Sequence, residues 1–371
     1  MLDFVRIFDK EFGDSKIYAE LSSVFDGTFD LETVMTVLED LSRSVETLYE
    51  TISPQTARFL LKERRSGVDY SVDSESRKKS MLEANELLSR IKSIIRTECN
   101  KAVDNESTIL KVYDDFFAVL NNQNNSASSL NRSLWSATSY GPSNSRILPS
   151  DLRVFTTNYD QCVETYFNRR QLEFCRGIVH RFGENVFDVD SYDYPSEQNK
   201  PCKIYKLHGS IDLFEKEDKI RKLDAPRTDD RFVIKEYGKE SMRFPIEFGG
   251  YRQIIESPYL DLFRRFRDVA KEKKWWIIIG FSFRDRTVCS ILNDVLRLKP
   301  KIDRPTILLM NLHTEPVLNR LKEWRYEALY ETICPAEVEF GSKDFGEQLH
   351  KIFLERHFVS EPHIGFARVE K

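Results

Sequence analysis

Three polar clusters, each directly behind a short apolar run, constrain this chain more than any other feature. The clusters are Thr156 to Asp160, Lys206 to Ser210 and Gly280 to Asp285. Short apolar runs that are bounded by turn residues indicate buried strands. Ligands bind outside the carboxyl ends of the strands in an open parallel sheet, so we expect the three clusters to line one cleft.

The order of strand and helix patterns predicts an α/β fold with a Rossmann-like, doubly wound parallel sheet and a helical subdomain. Residues 1–120 are expected to be mainly helical, and residues 121–150, rich in Asn and Ser, to form a polar loop. The strands and helices of the sheet domain should occupy residues 151–315. Residues 316–371 should hold further strand and helix elements and a tail.

Four apolar runs are predicted to be strands of this sheet: Leu152–Thr156, Lys203–Leu207, Trp275–Ile279 and Thr306–Met310. Helices are expected after Pro258 and from about Arg286. The apolar stripes before residue 120 are interpreted as bundle packing, with a partner-binding face as the alternative. The charged stretch from Glu215 to Met242 is interpreted as a solvated insertion.

Composition excludes several functional classes. The 56 Lys and Arg nearly balance the 60 Asp and Glu, so tight or sequence-specific nucleic acid binding has no electrostatic basis. Six cysteines without a Cys-x-x-Cys pair encode neither a zinc ribbon nor a disulfide framework, and we expect no metal. No apolar run approaches the roughly 18 residues that a membrane helix needs, and the first residues do not resemble a signal peptide. We therefore expect a cytoplasmic protein.

Each polar cluster can be interpreted either structurally or functionally. Asn158 offers an amide to a ligand, although an Asn behind a strand often forms only a turn. His208 carries an imidazole, the side chain whose ordinary pKa best suits a general base near neutral pH, although many histidines at strand ends are structural. Gly280 permits close approach of a ligand, and Ser282 can bind a phosphate or a ribose hydroxyl. Asp285 is as suited to capping the following helix as to contacting a ligand.

In this order and spacing, the three clusters resemble the successive signatures of the sirtuin-like domain. The branch they resemble is the prokaryotic one that degrades NAD in antiphage defence, and the resemblance covers roughly residues 150–315. It implies that Asn158 orients the nicotinamide ribose and that Asp160 supports the nicotinamide side of the pocket. It also implies that His208 is the general base, acting on a ribose hydroxyl or on water. The other NAD-contacting residues that it implies are Thr156, Thr157, Gly209, Ser210, Gly280, Phe281, Ser282, Asp285 and Asn311. Among these, Gly280 and Ser282 would face the adenosine half, and Asn311 the adenine ribose.

Two departures from the family pattern bear on this interpretation. The protein deacylases of the family carry a zinc module, which the cysteine spacing here cannot build. The family also begins with a strand and a glycine-rich turn for the pyrophosphate, and nothing similar precedes Asn158. We therefore expect that the chain begins downstream of its natural start. Loss of that strand would leave an unpaired edge on both of its neighbours in the sheet.

The function that the resemblance implies is cleavage of NAD to nicotinamide and ADP-ribose, by an effector that causes abortive infection in antiviral defence. Whether the product is linear or cyclic is left open. NAD is the expected substrate, and a homo-oligomer and a HerA-type hexameric ATPase are the expected partners. The alternatives are a non-catalytic nucleotide-binding or scaffold subunit of a defence complex and, with less support, a protein deacylase.

Overall fold

The computed structural model of the chain describes residues 74–126, 152–181, 183–198, 200, 202–216, 219–222, 257–338, 342 and 345, with single positions at 12, 34, 35, 37, 38 and 41. Most of the predicted helical segment before residue 74 therefore lies outside the described residues. The same holds for the predicted polar loop from residue 127 onward and for the predicted tail.

The first half of the described chain contains helices α1 (Ser74–Asp104), α2 (Glu106–Ser126), α3 (Cys162–Arg169) and α4 (Pro195–Gln198), and strands β1 (Leu152–Thr156), β2 (Phe174–Cys175), β3 (Ile178–Arg181), β4 (Glu184–Phe187), β5 (Cys202–Lys206), β6 (Leu213–Lys216) and β7 (Lys219–Lys222). The second half contains helices α5 (Tyr259–Glu272), α6 (Arg286–Arg297), α7 (Glu315–Glu323) and α8 (Glu327–Thr332), and strands β8 (Trp275–Ile279), β9 (Thr306–Asn311) and β10 (Ile333–Glu337).

Two three-stranded parallel sheets form the centre of the molecule, in the orders β1-β5-β2 and β10-β9-β8. This arrangement confirms the predicted α/β class. Strands β1 and β8 begin and end where the sequence predicts them, whereas β5 begins and ends one residue earlier and β9 ends one residue later. Within the described ranges, β1 pairs with β5 alone and β8 with β9 alone, so the opposite edge of each strand meets no described strand.

The two sheets share the same two hydrophobic clusters, one on each face. Tyr205 of β5 and Leu309 of β9 enter a cluster with helices α5, α6, α7 and α8. Their neighbours along the strands, Ile204 and Leu308, enter a second cluster with helices α2 and α3. Because successive side chains of a strand point to opposite faces, the sheets act as one layer between two layers of helices.

A four-stranded antiparallel sheet has the strand order β3-β4-β7-β6. It includes Leu213–Lys216 and Lys219–Lys222, so the start of the charged stretch from residue 215 is strand rather than solvated insertion. Residues 223–256, the remainder of that stretch, lie outside the described residues. The sequence pattern does not predict this sheet, because its strands are short and rich in charged side chains, which hides the period of two.

The described helices before residue 127 bury their apolar stripes in the core. Ile91 and Ile95 of α1 lie in a cluster with Tyr159 and Ile211, which are part of or next to the polar clusters. Phe116 of α2 packs in the cluster on one face of the parallel sheets. Helix α2 ends at Ser126, so residues 121–126, which are predicted to be loop, are helical. No described helix has the length and apolar character needed to cross a membrane.

Two glycines with the same backbone conformation provide a test of packing beside β3. Gly177 has φ +80° and Gly183 has φ +82°, and both are conformations that side chains disfavour. A Cβ on Gly177 would lie 2.6 Å from Cε2 of Phe187, whereas nothing lies within 4 Å of one on Gly183.

We expect Gly183→Ala to lower the free energy of unfolding by about 1 kcal/mol, which is the cost of the left-handed backbone. Gly177→Ala should lower it by about 2–4 kcal/mol, because overlap with the aromatic ring adds to that cost. Urea unfolding of both variants measures the difference. Equal losses in the two variants would show that the aromatic ring yields without cost.

Candidate functional site

Backbone and side-chain hydrogen bonds join the first two polar clusters. The Leu207 amide donates to the Thr156 carbonyl over 2.9 Å, and the Ile211 amide donates to the Tyr159 carbonyl over 3.1 Å. The Ser210 hydroxyl lies 3.4 Å from the same Tyr159 carbonyl. Strands β1 and β5 are parallel and in register, so the chain leaves both strands at one edge and the two turns pack against each other.

The turn after β1 exposes the Asn158 side chain. Its backbone amide donates to the Thr156 hydroxyl over 3.0 Å, which fixes the turn without using the side-chain amide. Thr157, between these residues, is half-buried. Asp160 has a structural role in the same turn, because its Oδ1 accepts a hydrogen bond from the Cys162 amide at the start of α3.

The second and third clusters meet through a buried pair of side chains. His208 Nε2 lies 2.8 Å from Asp285 Oδ2, and the two residues are only 1% and 5% exposed. Gly209, which follows the histidine, has φ +87°, a conformation that favours glycine. The other carboxylate oxygen of Asp285 accepts from the amides of Thr287 and Val288, so Asp285 also caps α6.

The turn after β8 is held mainly through its backbone. The Gly280 amide donates to the Met310 carbonyl over 2.9 Å, and Asn311 Nδ2 donates to the Phe281 carbonyl over 3.1 Å. Arg320 donates to the Ser282 carbonyl. The predicted NAD-contacting residues Gly280, Phe281, Ser282 and Asn311 therefore lie together, and the Asn311 amide supports the turn.

One residue of this turn adopts a conformation that a bulky side chain rarely adopts. Phe283 has φ +55° and is fully buried, and its ring centroid lies 4.8 Å from that of Phe281. Non-glycine residues with positive φ cluster at functional sites, where the surrounding packing holds them. The sequence gives no signal of this feature, because the local preference of Phe opposes it.

Beneath the first two turns lies a buried network of four charges that the sequence analysis missed. Arg176 makes two hydrogen bonds to the Asp212 carboxylate, over 2.7 and 2.9 Å. Ser210 donates to the same carboxylate over 2.6 Å. Glu164 Oε1 lies 3.3 Å from Lys206 Nζ and 3.9 Å from Arg176 Nη2. The network therefore connects α3, the segment after β2 and the turn after β5.

The network also holds the turn that carries Asn158. Lys206 donates to the carbonyl of Asp160 and lies 3.4 Å from that of Asn158. The position of Lys206, a charged residue near the end of a predicted buried strand, is the one signal in the sequence that could have indicated this role. Buried cations require partners, and here backbone carbonyls and a carboxylate provide them.

Charge pairing shifts the pKa values within this network. Burial raises the pKa of Asp212, but the charge of Arg176 and the hydrogen bonds from Arg176 and Ser210 outweigh it, so the pKa is lowered from its ordinary value. Burial lowers the pKa of Arg176, but the charges of Asp212 and Glu164 outweigh burial, so this pKa is raised above its ordinary value. Both groups are therefore charged at neutral pH.

The cysteines near the site are not activated. Burial raises the pKa of Cys99 to about 12, and burial followed by the Asp160 charge raises that of Cys162 further. A thiol with a raised pKa is protonated at neutral pH and is a poor nucleophile or metal ligand. The described part of the chain contains no group of three or more His, Cys, Asp or Glu residues that could hold a metal ion.

Comparison with known proteins agrees with this geometry. A search of curated proteins finds no match. The model of one family, described as the SIR2-like domain, matches residues 152–330, which contain all three polar clusters and the buried network. Members of this family are NAD-dependent enzymes, so the match indicates NAD-related activity in broad terms. The matched stretch supports a sirtuin-like family for this chain.

Proposed function

We propose that the protein hydrolyses NAD to nicotinamide and ADP-ribose. The observation that carries the proposal is the meeting of three turns at strand ends, which brings the His208 imidazole and the Asp285 carboxylate together beside the turn of Asn158. The SIR2-like match over the same residues supports NAD as the substrate. Binding NAD there would follow the general rule for ligands of open parallel sheets.

The proposed reaction needs few chemical groups. The bond between C1′ of the ribose and the nicotinamide nitrogen breaks, and nicotinamide leaves with the electron pair, which neutralises its positive charge. Water attacks the oxocarbenium-like C1′, and the His208 imidazole takes the proton that the water loses. The Asn158 amide hydrogen-bonds the nicotinamide ribose and sets its orientation. The remaining side chains of the turns hold the substrate and exclude bulk water.

Burial of the imidazole supports regulation of this activity. The Asn158 side chain is exposed to solvent, whereas His208 is 1% exposed, so a substrate reaches the imidazole only after its covering residues move. Uncontrolled depletion of NAD would be toxic to the host cell. We therefore propose that the protein is an effector of antiphage defence, that it is held inactive until infection, and that it works as an oligomer with a HerA-type ATPase.

The same burial favours one alternative function. A histidine that is covered and bound to a helix-capping carboxylate also suits a structural contact in a non-catalytic nucleotide-binding subunit. Incubating the protein with NAD, with and without a hexameric ATPase, distinguishes the two functions. Release of nicotinamide supports the hydrolase, and NAD binding without turnover under either condition supports the scaffold. A requirement for an acyl-lysine peptide would instead indicate a deacylase.

The exposed amide provides a direct test of the hydrolase. We expect Asn158→Ala to lower the rate of nicotinamide release by about 100-fold, because an unoriented ribose rarely reaches the reactive geometry. Fluorescence of an etheno-NAD analogue measures the rate, and the melting temperature should not change because the side chain is exposed. Asn168→Ala, at an exposed position on α3, is the matched control and should retain full activity. A fully active Asn158→Ala protein would show that this amide does not contact the substrate.

A further inference from the structure

The Asp285 carboxylate contacts two different parts of the structure, one with each oxygen. Oδ1 accepts hydrogen bonds from the amides of Thr287 and Val288, over 2.8 and 3.0 Å. Oδ2 lies 2.8 Å from Nε2 of His208, which is 77 residues away in the sequence. Helix capping uses only the first oxygen. The second contact is therefore an additional feature that capping does not require.

Both members of the pair are held by rigid backbone. The two amide hydrogen bonds fix the plane of the carboxylate at the first turn of α6. His208 follows strand β5, where the Leu207 amide is bonded to the Thr156 carbonyl and the Gly209 amide to the Lys206 carbonyl. The imidazole and the carboxylate thus meet with a defined geometry, and both are shielded from water.

The contact determines which tautomer the imidazole adopts. Oδ1 accepts from two amides and the carboxylate has no donor of its own, so the hydrogen of the contact lies on Nε2 of His208. In a neutral imidazole with hydrogen on Nε2, the lone pair that can accept a proton lies on Nδ1. An imidazolium formed by protonation of Nδ1 would have the Asp285 carboxylate as its counter-ion.

We propose that Asp285 is a positioning residue that orients His208, fixes its tautomer and stabilises the imidazolium that forms during NAD cleavage. The inference rests on the proposed function, since it assigns a role within that reaction. It differs from a direct role of Asp285 in contacting NAD and from a role limited to capping α6. These three roles predict different outcomes for substitutions at this position.

Three substitutions separate these roles. In Asp285→Asn, the amide oxygen can still cap α6 while the amide nitrogen donates to Nε2, which moves the imidazole hydrogen to Nδ1. In Asp285→Ser, the short hydroxyl caps the helix but cannot reach His208. Asp285→Ala loses both contacts. Asp294→Asn, an exposed carboxylate on the same helix, is the matched control.

We expect Asp285→Asn to lower kcat for nicotinamide release roughly 100-fold with little change in KM, because the lone pair is then on the wrong nitrogen. Asp285→Ser should lower kcat at least roughly 10-fold. Asp285→Asn should melt close to the wild type because the cap and the contact with His208 both remain, whereas Asp285→Ser should melt at a lower temperature because the buried Nε2 hydrogen of His208 loses its acceptor. Asp285→Ala should lose activity and also melt at a lower temperature. Asp294→Asn should match the wild type in both measurements.

A spectroscopic measurement tests the tautomer independently of activity. The nitrogen-15 chemical shifts of labelled histidine distinguish hydrogen on Nε2 from hydrogen on Nδ1, and the His208 signals are identified as those missing in His208→Gln. We expect the Nε2–H form in the wild type and the Nδ1–H form in Asp285→Asn.

Specific outcomes would overturn this inference. A raised KM with unchanged kcat in Asp285→Asn would place Asp285 against the substrate instead. Full activity of both Asp285→Asn and Asp285→Ser would leave capping of α6 as the only role of Asp285. An Nδ1–H tautomer of His208 in the wild type would contradict the assigned hydrogen bond from Nε2 to Asp285. If the wild type never cleaves NAD, the proposed function fails, and the nitrogen-15 signals still decide the orientation of the pair.

Discussion

Replacing His208 with glutamine should lower the rate of nicotinamide release by about 1000-fold or more, because the variant lacks a general base. The glutamine amide can still donate to the Asp285 carboxylate, so the buried carboxylate keeps a partner and the fold should persist. The loss should appear in kcat, since a base acts on the transition state rather than on binding. Steady-state kinetics with NAD, under the condition that activates the wild type, measures it.

Two controls make the result on His208 interpretable. His313→Gln, at an exposed position after β9, should retain wild-type activity. The affinity of the His208→Gln protein for NAD, measured by calorimetry, should stay close to that of the wild type. If the activity of His208→Gln stayed within about threefold of the wild type, His208 would not be the base. A threefold change corresponds to about 0.7 kcal/mol of transition-state stabilisation.

The largest effect on stability is expected from the buried network. Arg176→Met should lower the free energy of unfolding by about 3–5 kcal/mol, because it leaves the buried Asp212 carboxylate without its main partner. Arg176→Lys should lower the free energy of unfolding by less, because a single ammonium keeps the charge but not both hydrogen bonds. The midpoint of urea unfolding at unchanged slope measures these losses.

A surface ion pair is the matched control for this substitution. Lys271 lies 3.0 Å from Asp268 on α5, and both side chains are exposed. Lys271→Met should therefore change the free energy of unfolding by no more than about 0.5 kcal/mol. If Arg176→Met lowered the free energy of unfolding by as little as Lys271→Met does, the network would be as well solvated as the surface pair. That result would contradict its observed burial.

The lowered pKa of Asp212 adds a dependence on pH with a defined sign. Burial raises this pKa, but Arg176, Ser210 and Lys206 together lower it by more, so the folded protein holds the proton less tightly than the unfolded chain. The pairing therefore stabilises the fold fully above the unfolded pKa of about 4 and loses this effect as the pH falls through the lower, folded value. The difference in stability between the wild type and Arg176→Met should shrink over that acidic range.

The sequence predicts the elements whose pattern is strong and local. The apolar run Trp275–Ile279 and the mostly apolar segment Leu152–Thr156 give strands with the bounds that the structure has. Asp285, directly before the apolar periodicity of α6, has the position of a helix cap, and the structure shows that hydrogen bonding. These features depend on neighbours within a few residues, which is the range that a sequence pattern reports.

Long-range pairings account for most of what the sequence does not predict. Arg176 and Asp212 are 36 residues apart, and nothing near either residue indicates that they meet in the core. His208 and Asp285 are each recognisable alone, but their contact depends on how two strand ends are placed in space. The antiparallel sheet escapes prediction for a different reason, because its charged strands lack apolar alternation.

The Asp285 carboxylate contacts both the first turn of α6 and the His208 imidazole, so a movement of the helix would change the contact with the imidazole. A displacement of α6 away from His208 by about 1 Å would stretch the 2.8 Å contact past hydrogen-bonding range. Helix α6 also connects to α8, whose Leu329 amide donates to the Asn293 side chain over 3.3 Å. A partner that displaces α8 and, through this hydrogen bond, α6 would therefore alter the His208–Asp285 contact without binding near the three turns.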